Sequence, residues 1–238
     1  MMEERVAVFA EHQRIAVIAA HPDDDVLGCG GAISNFVRMG HDVKTLFFST
    51  GVASRYHDAK KGEDESSIAR LSEMKRSHAI MGVENYKILG FPDNKLDTVP
   101  LLDLARECEE FLNVFKPTII FTHSIKDLNI DHQLVSAAVT VACRPNSNNF
   151  AHTVLFFEVP SSTNWQIDSA QSVFDPRFYV DISKTIDAKV SALMAYKSET
   201  QEFPHPRSEV YIRALAQVRG AACGLESAEG FEVGRIIR

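Results

Sequence analysis

The stretch 17–33 reads VIAAHPDDDVLGCGGAI, and its first residues have the apolar character of a buried strand. That run ends in His21 and three consecutive aspartates, Asp23, Asp24 and Asp25. Like charges crowded at the end of a buried strand repel one another and resist desolvation. A bound cation would offset both costs, so this stretch indicates a strand end that holds positive charge.

The bulk composition is that of a globular protein, with 238 residues of which 45% are hydrophobic. The net charge of −7, with both signs interspersed, argues against binding to nucleic acid. The first residues have no basic segment followed by an apolar one, and no apolar run approaches the about 20 residues of a spanning helix. We therefore expect no nucleic-acid partner and no integral membrane association. Four widely spaced cysteines without a CxxC pair favour reduced thiols and a cytoplasmic location.

Apolar runs alternate with amphipathic stretches, which predicts strands and helices in turn. Strands are predicted at 14–20, 43–50, 86–91, 118–123 and 153–159, and helices at 30–40, 66–82, 99–116 and 133–144. This rhythm implies right-handed crossovers and a single-domain, Rossmann-like α/β fold: a mostly parallel, doubly wound sheet with helices on both faces. Ligands of such sheets lie at the carboxyl ends of strands.

We expect residues 1–238 to form one domain, with a motif-bearing core at about 14–160 and a less regular part at 161–238. In that last part, 178–183 is predicted as a strand, 183–198 and 208–224 as helices, and the segment between the helices as a loop. A further polar loop is predicted from Gly51 to about Ser66.

The glycines of GCGG (28–31) are compatible with a dinucleotide-binding turn. That alternative is disfavoured because His21 and the aspartates occupy the positions where backbone must approach a pyrophosphate. The glycines are better explained by close packing between the loop and the following helix.

His21 and Asp24, at i and i+3, can point into one site, and a histidine with a carboxylate suits zinc or another first-row metal. A tetrahedral catalytic site needs a third protein ligand. The polar turn after the strand at 118–123 offers four candidates: His123, Asp127, Asp131 and His132. Each has a plainer explanation, such as helix capping by Asp131.

AHPDDDVLGCGG (20–31) resembles the signature of the PIG-L/LmbE-like family of zinc-dependent N-deacetylases. RLSEMKRSHAIMGVENYKILGFPD (70–93) is similar to the family's R-x-x-E helix with the strand and Asp that follow. DLNIDH (127–132) resembles its second metal motif, and YKSETQ and SAEGFEV resemble late elements. The similarity extends over nearly the whole chain.

The resemblance implies one Zn²⁺ per chain, or another divalent first-row metal, with three ligands: His21, Asp24 and His132. It makes Asp23 the general base and Asp131 a carboxylate that supports the base or a ligand histidine. It makes Arg70 a residue that contacts substrate.

Asn129 stands where many family members have a histidine. An amide donates a hydrogen bond but does not shuttle protons near neutral pH. Either Asn129 acts only as an oxyanion donor that contacts substrate, or another residue, with His205 as the candidate, supplies the acid. His123 is expected to have a packing role or to support the site. Asp25 is expected to bond to backbone within the turn.

Trp165, the only tryptophan, is predicted to stack on a sugar face or to be buried at a subunit contact, so a homo-oligomer remains open. Four residues of the loop after the second strand are predicted either to cover a substrate or to be solvated: Arg55, Tyr56, His57 and Lys60.

The residues together predict a cytoplasmic, metal-dependent amide hydrolase. The resemblance adds that it removes an acetyl group from a small N-acetylated sugar or sugar conjugate. One alternative is a deacylase of a non-sugar amide, such as an antibiotic intermediate. The other is a non-catalytic metal- or ligand-binding protein on the same fold.

Overall fold

The computed structural model describes residues 11–51, 62–145, 151–167 and 173–237, without the side chains of 62–65. The four residues predicted to cover substrate, Arg55 to Lys60, lie outside the described residues.

Strands and helices alternate along the described chain. In order they are β1 (Arg14–Ala19), α1 (Asp24–Arg38), β2 (Asp42–Phe47), α2 (Gly62–Met81), β3 (Asn85–Ile88), α3 (Leu101–Phe115), β4 (Ile119–His123), α4 (Ile130–Ala142), β5 (Thr153–Phe157), β6 (Phe178–Asp181), α5 (Ile186–Met194), α6 (Glu209–Ala221) and β7 (Ala228–Ile236).

In the described residues, seven strands form one sheet in the order β3-β2-β1-β4-β5-β7-β6. Strands β1 to β5 pair in parallel, and β7 pairs antiparallel with both β5 and β6. The central strand β1 places Val17 between Thr45 of β2 and Phe121 of β4. The prediction of one α/β domain with a mostly parallel sheet is confirmed.

The core has two apolar clusters, which β1 separates by the alternation of its side chains. Ile15 and Val17 belong to the first cluster, together with residues of α1, α2, α5 and α6. Ala16 and Ile18 belong to the second, together with residues of α3 and α4. Full burial stabilises each large aliphatic side chain by about 1.5–3 kcal/mol, which fixes β1 and the loop that leaves it.

Helix α1 begins at Asp24, six residues before the start that its apolar spacing predicted. It contains a kink at Cys29, where φ is −148°, and this break hides the helical period of its first turns. Likewise α2 begins at Gly62 rather than near Ser66. Asp24 and Asp25 therefore lie in the first turn of α1, and Asp23 occupies its N-cap position.

A buried ion pair satisfies the backbone groups that the kink in α1 leaves open. The Glu229 carboxylate accepts from the backbone N–H groups of Gly31 (2.9 Å) and Ala32 (2.7 Å). Lys189 Nζ donates to the carbonyl of Leu27 (2.8 Å) and to Glu229 Oε1 (2.6 Å). Unpaired buried backbone groups are costly, so this pair holds the kink in place.

Close packing also explains the glycines of GCGG, as predicted. A Cβ at Gly28 would overlap the ring of Phe157 on β5, and one at Gly31 would lie 2.8 Å from Ile182 Cγ2. The first half of α1 thus lies directly against the sheet.

Strand β7 was not predicted. Gly230 and Gly234 lie within it, and glycine is disfavoured in strands. The close approach of Pro176 to Gly230 and of Phe156 to Gly234 accounts for both residues.

None of the four cysteines forms a disulfide, and Cys29, Cys108 and Cys143 are buried. Within the described part of the chain, no helix combines the length and apolar character needed to cross a bilayer.

Candidate metal centre

Two loops at the carboxyl ends of neighbouring strands bring the predicted metal ligands together. His21 and Asp24 follow β1, and His132 lies in the first turn of α4, after β4. One potential ligand atom from each lies within 4.8 Å of the other two, and all three residues are buried. The site is therefore a product of the parallel pairing of β1 with β4.

The donor set fits a small divalent cation. Asp24 Oδ2 lies 3.3 Å from His21 Nδ1 and 3.3 Å from His132 Nε2. Ligands of a tetrahedral zinc site with bonds of 2.0–2.1 Å are about 3.3–3.4 Å apart. Two imidazoles and one carboxylate are also the donor types that zinc and its first-row neighbours prefer.

Buried carboxylates orient both imidazoles from their far sides. His21 Nε2 lies 3.1 Å from Asp93 Oδ1 and 3.2 Å from Asp131 Oδ2. His132 Nδ1 lies 3.2 Å from Asp127 Oδ1. Such partners fix the ring orientation and tautomer of a ligating histidine, which leaves the other nitrogen as the donor. Here that other nitrogen faces Asp24 in both cases.

The buried carboxylates of the cluster favour positive charge on the groups between them. Burial lowers the pKa of His132, but the carboxylates of Asp24 and Asp127 outweigh it and raise that pKa to about 9. Burial likewise opposes the ionised form of Asp24, yet His132 and His21 hold its pKa well below the usual value. The carboxylates thus retain protons on the imidazoles unless a cation replaces them.

His123 is neutral and positions its neighbours. Its Nε2 accepts from the backbone N–H of Ala20 (2.9 Å), and its ring stacks on His132 with centroids 4.0 Å apart. Burial and the nearby His132 lower the pKa of His123 to about 3. These contacts fit the expected packing and supporting role.

Asp23 forms part of the wall of a cavity of about 150 Å³ beside the three ligands. Its backbone has φ 112° and ψ −28°, which is costly for a non-glycine residue. Its Oδ2 accepts from Nη1 of Arg207 (2.9 Å) and lies 3.4 Å from Nη1 of Arg70. Burial raises the pKa of Asp23, although both guanidinium groups lower it.

Gly51, after β2, lets the chain approach the candidate ligand His21 closely. Its φ is +72°, and a Cβ there would lie 3.0 Å from His21 Cβ. The space beside His21 is therefore available only to a residue without a side chain.

The prediction that Asp25 bonds to backbone within the turn is wrong. Its Oδ2 lies 2.9 Å from His78 Nε2 on α2, and both side chains are buried. Because α1 begins at Asp24, Asp25 points into the core, where the His78 ring also stacks on Phe47.

Asn129 caps α4: its side-chain oxygen accepts from the backbone N–H of Asp131 (2.8 Å), and its Nδ2 donates to Asn94 Oδ1 (3.2 Å). The Asp131 carboxylate accepts from the backbone N–H groups of Asn94 (2.8 Å) and Leu96 (3.0 Å). Asp131 thus joins the loop after β3 to the ligand His21, and Asn129 lines the cavity.

Sequence reasoning gave no role to several residues that line the cavity. They are Asp93, Asn94, Ser161, Ser162, Glu199 and Arg207. Arg207 Nη1 donates to Glu199 Oε2 (2.7 Å), and Glu199 Oε1 accepts from Arg70 Nη2. Asp23, Arg70, Glu199 and Arg207 therefore form a ring in which acids and guanidinium groups alternate. Only the resemblance of YKSETQ to a family element marked Glu199, and no pattern marked Arg207.

His205 and Trp165 lie next to this wall but do not line the cavity. Their rings pack edge to face with centroids 5.4 Å apart, and Trp165 is 46% exposed. His205 Nδ1 accepts from the backbone N–H of Arg207 (3.1 Å). Their assignments as acid and sugar platform remain predictions.

Comparisons with known proteins identify the family of the chain. Residues 16–143, more than half of the chain, match the family described as PIG-L: GlcNAc-PI de-N-acetylase. A diacetylchitobiose deacetylase of Thermococcus kodakarensis is 28% identical over 229 residues, which cover 93% of this chain and 83% of that protein.

Solved structures share the fold. An N,N'-diacetylchitobiose deacetylase from Pyrococcus horikoshii superposes with a TM-score of 0.75 at 20% identity, covering 94% of this chain and 85% of that one. The 4-carboxy-2-hydroxymuconate hydratase of Pseudomonas putida gives 0.76 at 20% identity, covering 95% and 98%. At such identities these two similarities establish the fold alone. The family match is the firmer finding, and by it the chain belongs to the PIG-L (GlcNAc-PI de-N-acetylase) family.

Proposed function

We propose that this protein is a metal-dependent deacetylase that hydrolyses the acetamide of an N-acetylated sugar or sugar conjugate. The observation that carries the proposal is the donor set of His21, Asp24 and His132, oriented from behind by buried carboxylates, with the Asp23 carboxylate beside it on the cavity wall. We infer that this set holds one Zn²⁺ or another divalent first-row ion.

A bound cation of this kind would polarise an acetyl carbonyl and lower the pKa of water from 15.7 to about 7. Asp23 is suited to the proton transfers because it is adjacent to the ligands without belonging to them. Its carboxylate accepts a proton from water as the water oxygen adds to the carbonyl carbon. As the C–N bond breaks, that proton passes to the leaving nitrogen, and the products are acetate and an amine.

The remaining assignments follow the same proposal. Asp131 supports the ligand His21, whose Nε2 is 3.2 Å from its carboxylate. Asn129 Nδ2 donates toward the oxygen on which negative charge develops, and Arg70 contacts substrate. His205 remains the candidate acid, and Trp165 the platform for a sugar face.

The sugar specificity is supported by the family match and by the names of relatives, among them the diacetylchitobiose deacetylase. We also infer a doubly wound, Rossmann-like sheet, supported by the strand order and by apolar clusters with helices on both sides. A cytoplasmic location and assembly into a homo-oligomer remain part of the proposal.

A panel of N-acetyl sugars, nucleotide-linked sugars and glycosyl conjugates, scored for released acetate with and without chelator, tests the function. We expect chelator-sensitive release from at least one sugar substrate, restored by adding Zn²⁺. A metal-loaded protein that releases acetate from none of them contradicts the proposal.

A further inference from the structure

We propose that Arg207 is a substrate-contacting residue, and that its Nη2 edge binds an uncharged acceptor oxygen of the N-acetyl sugar. This inference rests on the proposed function, since it concerns the same cavity.

Arg207 uses two of the three nitrogens of its guanidinium group within the described residues. Nε donates to Ser161 Oγ (2.8 Å), and Nη1 donates to Asp23 Oδ2 (2.9 Å) and Glu199 Oε2 (2.7 Å). A guanidinium group carries five N–H donors, so the two on Nη2 remain. They have no hydrogen-bond partner within the described residues, and Arg207 lines the cavity.

The backbone around Arg207 is fixed before any ligand binds. Its N–H donates to His205 Nδ1 (3.1 Å), and the next residue, Ser208, caps α6 by accepting from the N–H of Tyr211 (3.2 Å). The Nη2 edge is therefore presented in one orientation, which lowers the entropy cost of binding.

Arg70 is less accessible to a ligand than Arg207. Its Nη1 donates to the carbonyl of Pro22 (3.1 Å), its Nη2 donates to Glu199, and its side chain is 3% exposed. The Arg207 side chain is 18% exposed. Of the two guanidinium groups in the ring, Arg207 thus presents the more exposed donors to a ligand.

The chemistry of the acceptor follows from the charges. Asp23 and Glu199 lie within hydrogen-bond distance of Arg207 and already balance the charge that it brings to the cavity. An anionic group would compete with both carboxylates, whereas a hydroxyl or amide oxygen accepts from Nη2 without disturbing them. N-acetyl sugars carry oxygens of both kinds.

The test compares Arg207→Gln and Arg207→Lys with the control Arg213→Gln. Arg213 also forms ion pairs with two acids, Asp187 and Glu209, but on the outer surface of α6. In zinc-loaded proteins we measure KM and kcat for the best N-acetyl sugar of the panel, and the Kd of glucosamine by calorimetry. Zinc content and melting temperature check that each variant is intact.

We expect both Arg207 variants to raise KM and the glucosamine Kd by about 10- to 100-fold, the range for a hydrogen bond from a charged donor. Arg207→Lys retains a charge near the carboxylates but lacks the Nη2 edge, so its kcat should fall less than that of Arg207→Gln. Arg213→Gln should match the wild type.

KM and Kd within twofold of the wild type in both Arg207 variants would overturn the inference, even if kcat fell, because Arg207 would then only position Asp23. A different result would contradict the proposed function: the wild-type protein would hydrolyse no N-acetyl sugar. In that case, the glucosamine Kd values of the wild type and the variants still decide the role of Arg207.

Discussion

The motif-bearing part of the chain, residues 14–160, and the last part, from 161 on, contribute differently to one cavity. The first part supplies the candidate metal ligands and Asp23 from the loops after β1 and β4. The last part supplies Glu199 and Arg207 from the segment between α5 and α6.

The first part of the chain therefore supplies the candidate reacting groups, and the last part supplies side chains that position Asp23 and line the cavity. The candidate metal ligands come from two short motifs, and the pairing of β1 with β4 brings them together. The hydrogen bond between Arg207 and Asp23 joins residues 184 positions apart in sequence, and that between Arg70 and Glu199 joins residues 129 positions apart. We therefore expect substitutions in the first part to abolish catalysis, and those in the last part to weaken substrate binding or misplace Asp23.

The largest expected effect in the first part is that of Asp23→Asn. Loss of the proton acceptor should lower kcat by about 10²- to 10⁴-fold, the usual contribution of general base catalysis. Zinc content should stay near one per chain, because Asp23 is not in the ligand set. Asp25→Asn is the matched control, since its side chain contacts His78 rather than the cavity, and its kcat should stay within about tenfold of the wild type. Turnover by Asp23→Asn at the parental rate would remove Asp23 from the mechanism.

Metal affinity should depend steeply on pH. The pKa of His132 is about 9 and that of His21 is raised well above its usual value, so both are protonated at pH 7 without metal. Because ligands bind as neutral imidazoles, zinc must displace about two protons. Affinity should then rise about 100-fold per pH unit over the range in which both imidazoles are protonated.

Calorimetry in buffers of different ionisation enthalpy measures the number of protons released. Release of no protons at pH 7 would contradict the assignment of His21 and His132 as ligands. This measurement also probes the first part of the chain alone, because both histidines belong to it.

Glu199→Gln tests the last part of the chain. It removes one negative charge from the ring and leaves Arg70 and Arg207 to share Asp23, which should misplace the Asp23 carboxylate. We expect kcat/KM to fall by about 10- to 100-fold, the range for the loss of a hydrogen bond between charged groups. Zinc content is measured to show that the variant has not lost its metal. Its kinetics are then compared with those of Asp23→Asn. A fall as large as that of Asp23→Asn would erase the distinction between the two parts.

The smallest effect is expected from Trp165→Ala, at the edge of the cavity. Because Trp165 is half-exposed and does not line the cavity, its loss should raise KM by only about three- to tenfold. His205→Ala serves as the comparison, since its ring packs against Trp165. An acid role for His205 would instead show as a loss of kcat larger than that of Trp165→Ala.

Local patterns predicted much of the site because its chemistry lies in contiguous residues. The order of strands and helices, and the candidate metal residues at the ends of β1 and β4, followed from periodicity and spacing. The resemblance then selected His21, Asp24 and His132 among them. The start of α1 was missed because the kink at Cys29 disrupts its apolar period, and β7 was missed because of its glycines.

The contacts of Asp25 show why the rest was out of reach. Whether this aspartate bonds to the turn or to His78 depends on the path of α2 behind α1, which no residue near it specifies. Arg207 poses the same difficulty, because it follows a loop without regular spacing and gains its partners only through packing.

Sequence alone determined the α/β class and the candidate metal residues at the strand ends, since strand periodicity and the clustering of acids after an apolar run are local properties. Only the tertiary structure decided that two guanidinium groups and Glu199 enclose Asp23, and that the Nη2 edge of Arg207 remains available in the cavity. The physical reason is that hydrogen bonds between distant segments depend on the relative placement of whole helices. That placement is set by burial summed over the two apolar clusters rather than by any short motif.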